Sequence, residues 1–279
     1  FGIVWGLAVA GIVLKVFFPD MDMFTACLGL ALVAGLYTAA GGLAAVVYTD
    51  VLQAAVLLVG ACMVSYLSFA EVDFSWANIV AETSPEKLSL MLPLDDPNLP
   101  WLGTVVGVPI LGFYFWCTNQ FIVQRVLGAR SIAHARWGVL LAGFLKLPVL
   151  YIMVMPGVMA GLFLPQLESG DAVFPTLVST LLPAGLVGLV MAGLLAAIMS
   201  SIDSTLNSAS TLVTMDFLRP AERGWSPRHT AWVGRIFILI FMLLAASISP
   251  LIDNFSGLFH YLQSALAYLV PPVVVVFIL

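Results

Sequence analysis

Long apolar runs, broken by short polar stretches, dominate this chain. A membrane-crossing helix needs about 20 mostly apolar residues. The pattern predicts about eight such segments: 1–18, 23–40, 43–70, 101–127, 133–164, 182–214, 230–249 and 257–279. Gly41-Gly42 is expected to form a tight connection between the second and third. A polar stretch at about 71–100 reads as one long loop. The pattern thus predicts an all-α, multi-span transmembrane bundle forming a single domain over 1–279.

One run departs from this pattern. Within "LVGLVMAGLLAAIMSSIDSTLNSASTLV" the apolar half gives way to hydroxyls, an amide and a carboxylate. At 100° per residue, Ser200, Asp203, Ser204, Asn207, Thr211 and Thr214 fall on one face. Ile202, Leu206, Ala209 and Val213 lie opposite. Small residues alone would suit a helix–helix seam, but a seam explains Asp203 poorly. Hard cations take oxygen ligands, from carboxylates, carbonyls and hydroxyls. A hydroxyl stripe with one carboxylate suits a cation of low charge, such as Na⁺.

Composition agrees with a membrane protein. The chain is 62% hydrophobic and 9% charged, where soluble domains carry about 25% charged residues. Its net charge of -5, spread over loops, argues against a nucleic-acid partner. Cys27, Cys62 and Cys117 lie in apolar segments and read as packing residues. The start at Phe1 and the end at "PPVVVVFIL" suggest a piece of a longer protein, truncated at both ends. Arg125, Arg130 and Arg136 follow the fourth segment, and Arg219, Arg223, Arg228 and Arg235 follow the sixth. Acidic residues instead crowd the loop 71–100 (Glu71, Asp73, Glu82, Glu86, Asp95, Asp96), with Glu168 and Asp171 after the fifth segment. Basic loops stay cytoplasmic, so the arginine-rich loops are expected inside and the long loop outside. Lys15 is the exception.

Other polar residues stand at membrane depth, where charge is costly and marks function by default. Lys146, in "LLAGFLKLPVLYIMV", is either a snorkelling lysine or a cation facing a polar cavity. Asp50 is either a helix N-cap or a carboxylate about ten residues into a long helix. In the second case the expected directions put it at the depth of the Ser200–Ser204 cluster, and the two could share one cation. In "VVGVPILGFYFWCTNQFIVQR", Gly107, Pro109 and Gly112 are expected to interrupt the helix. Broken spans are the best sequence pointer to a transporter's solute site. Phe113, Tyr114, Phe115 and Trp116 follow with flat surfaces. His260, Tyr261, Gln263 and Ser264 precede an expected break at Pro271-Pro272. The amide of Gln263 donates and accepts, which suits a sugar or polyol.

The stretches "GGLAAVVYTDVLQ", "FWCTNQFIVQRVLGARS" and "MSSIDSTLNSASTLVTMDF" carry a resemblance to the sodium/solute symporters, in their sodium/glucose cotransporter branch. "FLKLPVLYIMVMPG" and "LFHYLQSALAYLVPP" add to it, and it covers essentially the whole chain. The resemblance implies a LeuT-type inverted-repeat fold, entered at the third core helix and left at the tenth. It also implies Na⁺-coupled solute uptake by alternating access, at the plasma membrane and without enzymatic activity. By position, Ser200, Ser201 and the Ala197 carbonyl resemble ligands of the principal sodium site. Asp50, Ser200, Asp203 and Ser204 resemble a second sodium site. Lys146 and Gln263 match sugar-contacting positions. Gly112 stands where relatives carry Asn or Thr, and Phe115 where they carry a gate tyrosine, beside Trp116. These departures leave inositol or another polyol open beside a hexose. Two rival readings are a cation channel and an intramembrane serine hydrolase using Lys146. The hydrolase lacks glycines flanking "AIMSSID".

Overall fold

The computed structural model describes residues 2–96, 100–164, 170–218, 224–249 and 258–279. Side chains are described throughout except at 37, 40–46 and 258–261. Arg219, Arg223, Glu168, the side chains of His260 and Tyr261, and residue Gly257 therefore lie outside the described part. Among the described residues the chain is helical, without a strand: α1 (Gly2–Phe17), α2 (Met23–Glu71), α3 (Trp76–Glu82), α4 (Pro85–Leu88), α5 (Trp101–Phe113), α6 (Gln120–Leu127), α7 (Ile132–Lys146), α8 (Met155–Phe163), α9 (Val173–Leu181), α10 (Ala184–Leu212), α11 (Pro227–Ile248) and α12 (Leu258–Ile278).

Among the described residues, four helical stretches are long and apolar enough to cross a membrane: Val47–Glu71, Trp101–Thr118, Ala184–Leu218 and Pro227–Ile248. A fifth is the pair Ile132–Lys146 and Leu150–Phe163, bent by 42°. Shorter apolar helices at Gly2–Phe17, Met23–Leu36 and Leu262–Ile278 fall on the remaining expected spans.

Three expectations are corrected. First, α2 is helical through Gly41-Gly42 instead of turning there. Glycine costs a helix about 1 kcal/mol relative to alanine, which is less than unmaking backbone hydrogen bonds where water is absent. Second, α5 passes through Gly107, Pro109 and Gly112. The interruption comes later, as a π-helical turn at Tyr114–Thr118 that ends in extended backbone at Asn119. Third, α12 runs through Pro271-Pro272. A proline removes one N–H and crowds one carbonyl, and this kinks a helix without always ending it.

The chain falls into two compact units: Phe1–Ala61 with Ser169–Tyr261, and Cys62–Glu168 with Leu262–Leu279. The core of the first unit joins Leu7 and Ala8 of α1, Ala31 and Ala34 of α2, Ile202 and Leu206 of α10, and Ile238 and Met242 of α11. The apolar face expected for α10 is therefore packed against protein. Asp22 precedes α2 and accepts hydrogen bonds from the Thr25 hydroxyl and N–H. These donors hold its carboxyl below the usual carboxylate range. The cap therefore supports α2 at neutral pH and weakens as pH falls through that lowered value. In the second unit, Ile79 of α3 packs with Met155 and Met159 of α8 and with Val72. The loop after α2 is thus a packed cover carrying α3 and α4.

Candidate ion and solute sites

In the first unit, α10 supplies the ion-site candidates. Its second half alternates small hydroxyl residues with Ile202 and Leu206, so the apolar side anchors on the core and the polar side is held in place. Ser204 is fully buried and Asp203 is 2% exposed. Burial without a partner would be prohibitive for such a carboxylate. One Asp203 oxygen lies 2.7 Å from the Thr38 hydroxyl of α2. Asp50 is near enough to act on Asp203 electrostatically.

The hydroxyls share one geometry. Ser200 and Ser201 both donate to the Ala197 carbonyl, at 3.1 and 3.4 Å. Ser204 donates to the Ser200 carbonyl at 2.7 Å, and Thr211 to that of Asn207 at 2.8 Å. A hydroxyl that donates back to its own helix presents its lone pairs outward. The polar face is therefore a set of oxygen acceptors beside a carboxylate, which is what a dehydrated monovalent cation needs.

The seam between α10 and α2 sets the level of Asp50. A Cβ built on Gly193 would lie 2.7 Å from Val56 Cγ1, and one on Gly60 would lie 2.6 Å from Val190 Cγ2. These glycines let the antiparallel helices touch. Carried on at about 1.5 Å per residue, the register brings Asp50 level with Ser200, as the depth argument expected. The contacts Thr38–Asp203 and Val56–Gly193 lie eighteen residues apart on α2 but ten apart on α10. A bent α2 gives that spacing. So α2 keeps its helical bonding yet changes course, where a full turn of the chain had been expected. Thr38 escaped the sequence reading. Its signal is a threonine in an apolar, small-residue run, and only the fold shows that it meets Asp203.

In the second unit the solute candidates are more dispersed. Gln263 of α12 and Gly103, Thr104, Gly107 and Leu111 of α5 line a cavity of about 380 Å³. Gly112, Phe115 and Trp116 do not line it. Gly112 has open space where a Cβ would stand. Phe115 and Trp116 sit on the π-helical turn at Tyr114–Thr118, and the Phe115 ring packs edge-on against Phe121 with centroids 5.6 Å apart. Extra-residue turns of this kind recur at functional sites.

Lys146 is the last residue of α7, at the bend inside the fifth span, and it is exposed. Pro148 accounts for the break: it lacks an N–H and disfavours helical geometry at Leu147. The ammonium therefore stands at a helix C-terminus, where the last carbonyls favour a cation. A second π-helical turn, Leu150–Val154, follows the break. Its Tyr151 carbonyl accepts a hydrogen bond from the Ser65 hydroxyl at 2.8 Å. Irregular backbone at membrane depth needs such a protein partner.

Oxygen acceptors on one apolar helix, a buried Asp203 near a partly buried Asp50, and broken spans describe a membrane protein of the multi-pass helical class. The model of the sodium:solute symporter family matches residues 3–279, and the chain belongs to that family. It is 38% identical to the human sodium/myo-inositol cotransporter 2, over 93% of this chain and 44% of that protein. It is 34% identical to the pig sodium/glucose cotransporter 1, over 93% of this chain and 45% of that protein. The chain thus spans less than half the length of these relatives. Among solved structures, the substrate-bound outward-open state of a Na⁺-coupled sialic acid symporter superposes with a TM-score of 0.76 at 21% identity, covering 91% of this chain and 57% of that one. This likeness shows the fold, which is LeuT-type.

Proposed function

We propose that the protein is a secondary active symporter of the plasma membrane that couples Na⁺ entry to uptake of a small polar solute, a sugar or polyol. The observation that carries this is the α10 face, where buried Asp203 stands among hydroxyl oxygens and within electrostatic range of Asp50. In this reading the Ala197 carbonyl, Ser200 and Ser201 hold one Na⁺. Asp50, Asp203 and Ser204 hold or tune a second. Gln263, Lys146, Phe115 and Trp116 serve the solute, with Gly112 leaving room beside it. The relatives named for myo-inositol and glucose support this solute class, and a polyol fits the missing polar groups at Gly112 and Phe115. The arginine-rich loops assign the end of α10 to the cytoplasmic side.

The test is uptake of labelled sugars and polyols by the full-length protein in vesicles, with and without an inward Na⁺ gradient. Gradient-stimulated uptake of at least one panel member is expected. Equal uptake in both conditions overturns the proposal.

A further inference from the structure

A second cavity in the first unit, of about 320 Å³, is lined by Thr38, Asn207, Ser210, Thr211, Thr214 and Arg235 among others. It lies where the last turns of α10 meet the start of α11, with Thr38 of α2 in its wall. That volume has room for on the order of ten water molecules. Three observations separate it from a packing fault between small residues.

Thr214 is 2% exposed, and its hydroxyl oxygen is buried without a hydrogen-bond partner. Most hydroxyls in the wall are committed to backbone: Ser210 donates to the Gly234 carbonyl at 2.6 Å, and Thr211 to that of Asn207 at 2.8 Å. Thr214 therefore lines the cavity while keeping its own donor. Next, Asp203, Asn207 and Thr211 follow one another at turn spacing down one face of α10, and Thr214 comes next on the π-helical turn Val213–Leu218, so the cavity continues the carboxylate's line. Thr38 is both a wall of the cavity and the residue bonded to Asp203. Finally, Gly234 keeps the space open, since a Cβ there would stand 3.3 Å from Ser210 Oγ and 3.9 Å from Thr214 Oγ1.

Charge gives the cavity a direction. No acidic side chain is among its described lining residues, and the exposed guanidinium of Arg235 lines it. Oxygen acceptors lead a cation away from Asp203, while a fixed positive charge near the exit lowers the cation's residence there. We propose that this cavity is the cytoplasmic exit vestibule for the coupling cation, with Thr38 as the partition from Asp203 and Arg235 as the charge that keeps internal Na⁺ from re-entering. This rests on the Na⁺-coupled reading above and adds a route and a control to it.

The full-length protein in oriented vesicles tests it, with Na⁺ as the internal probe and choline as its replacement. Arg235→Gln is expected to lower the internal Na⁺ concentration that half-inhibits uptake by about threefold or more, the effect of a unit charge over roughly 10 Å in partly aqueous surroundings. Raised choline chloride should shrink that difference, and Arg235→Lys should restore the wild-type value. External Na⁺ dependence should not move. In parallel, Thr214→Cys should react with a membrane-impermeant thiol reagent from the cytoplasmic face only, and internal Na⁺ should slow the reaction. Thr211→Cys carries the same expectation if Thr214→Cys is not recovered. Unchanged internal inhibition in Arg235→Gln, or no cytoplasmic labelling of the recovered cysteine variant, overturns the vestibule. The labelling reports on the cavity even if uptake proves independent of Na⁺, so the two proposals fail separately.

Discussion

The two units handle polarity in opposite ways. In the first, polar atoms are gathered on one continuous helix and buried: Asp203 and Ser204 are nearly inaccessible, and each has a protein partner. In the second, polarity comes from broken backbone. The π-helical turns at Tyr114–Thr118 and Leu150–Val154 interrupt its apolar helices, and Lys146 stands at a helix end, whereas the π-helical turn of the first unit, Val213–Leu218, comes only after α10 has ended. On the proposed function, the contrast suits two kinds of cargo. A small ion needs several short oxygen contacts at fixed positions, which a rigid helix face provides. A larger solute needs space and a few directed hydrogen bonds, and interrupted helices provide both.

Substitutions can break this division of labour. The largest effect is expected for Asp203→Ala. Losing a charged ligand is worth about 1.5–3 kcal/mol, so the Na⁺ concentration for half-maximal uptake should rise at least tenfold, with solute KM unchanged at saturating Na⁺. Asp50→Asn should act in the same direction. Gln263→Ala removes a neutral hydrogen-bonding group of about 0.5–1.5 kcal/mol. Solute KM should rise about two- to tenfold while Na⁺ dependence stays put. If Asp203→Ala moved solute KM and Gln263→Ala moved Na⁺ dependence, the two sites would have to be exchanged. The smallest change is expected for Ser65→Ala, which leaves the Tyr151 carbonyl without its donor. Stability in detergent should fall by about 1 kcal/mol, measured as a lowered midpoint of thermal unfolding, with both transport parameters near wild type.

Much of the candidate ion site is readable from residues alone. The period of "SSIDSTLNSAST" places Ser200, Asp203 and Ser204 together, because a helix has one period and α10 is unbroken there. Depth counting then finds Asp50, because α2 and α10 are antiparallel and rise equally per residue. Thr38 could not be found this way. Its meeting with Asp203 depends on the course of α2, and no local pattern encodes that course. The solute side was harder for a related reason. Gly107, Pro109 and Gly112 announce a break, but the break forms beyond them at the bulky Tyr114–Thr118 turn and Asn119. Glycine and proline raise the cost of a helix locally, while surrounding packing decides where it yields. Hydropathy places Lys146 mid-span, but it does not register that Pro148 splits the run and leaves the lysine at a helix end.

The glycine seam has a consequence for selectivity. Gly193 and Gly60 let α10 and α2 approach until backbone and valine methyls touch. That contact fixes how far the Asp50 side of the site stands from the serine side. On the Na⁺-coupled reading proposed above, the radius of the cation that fits is therefore gauged by two residues outside the proposed ligand set. An alanine at Gly193 would act as a shim, prising the helices apart and moving the preference from Na⁺ towards larger monovalent cations.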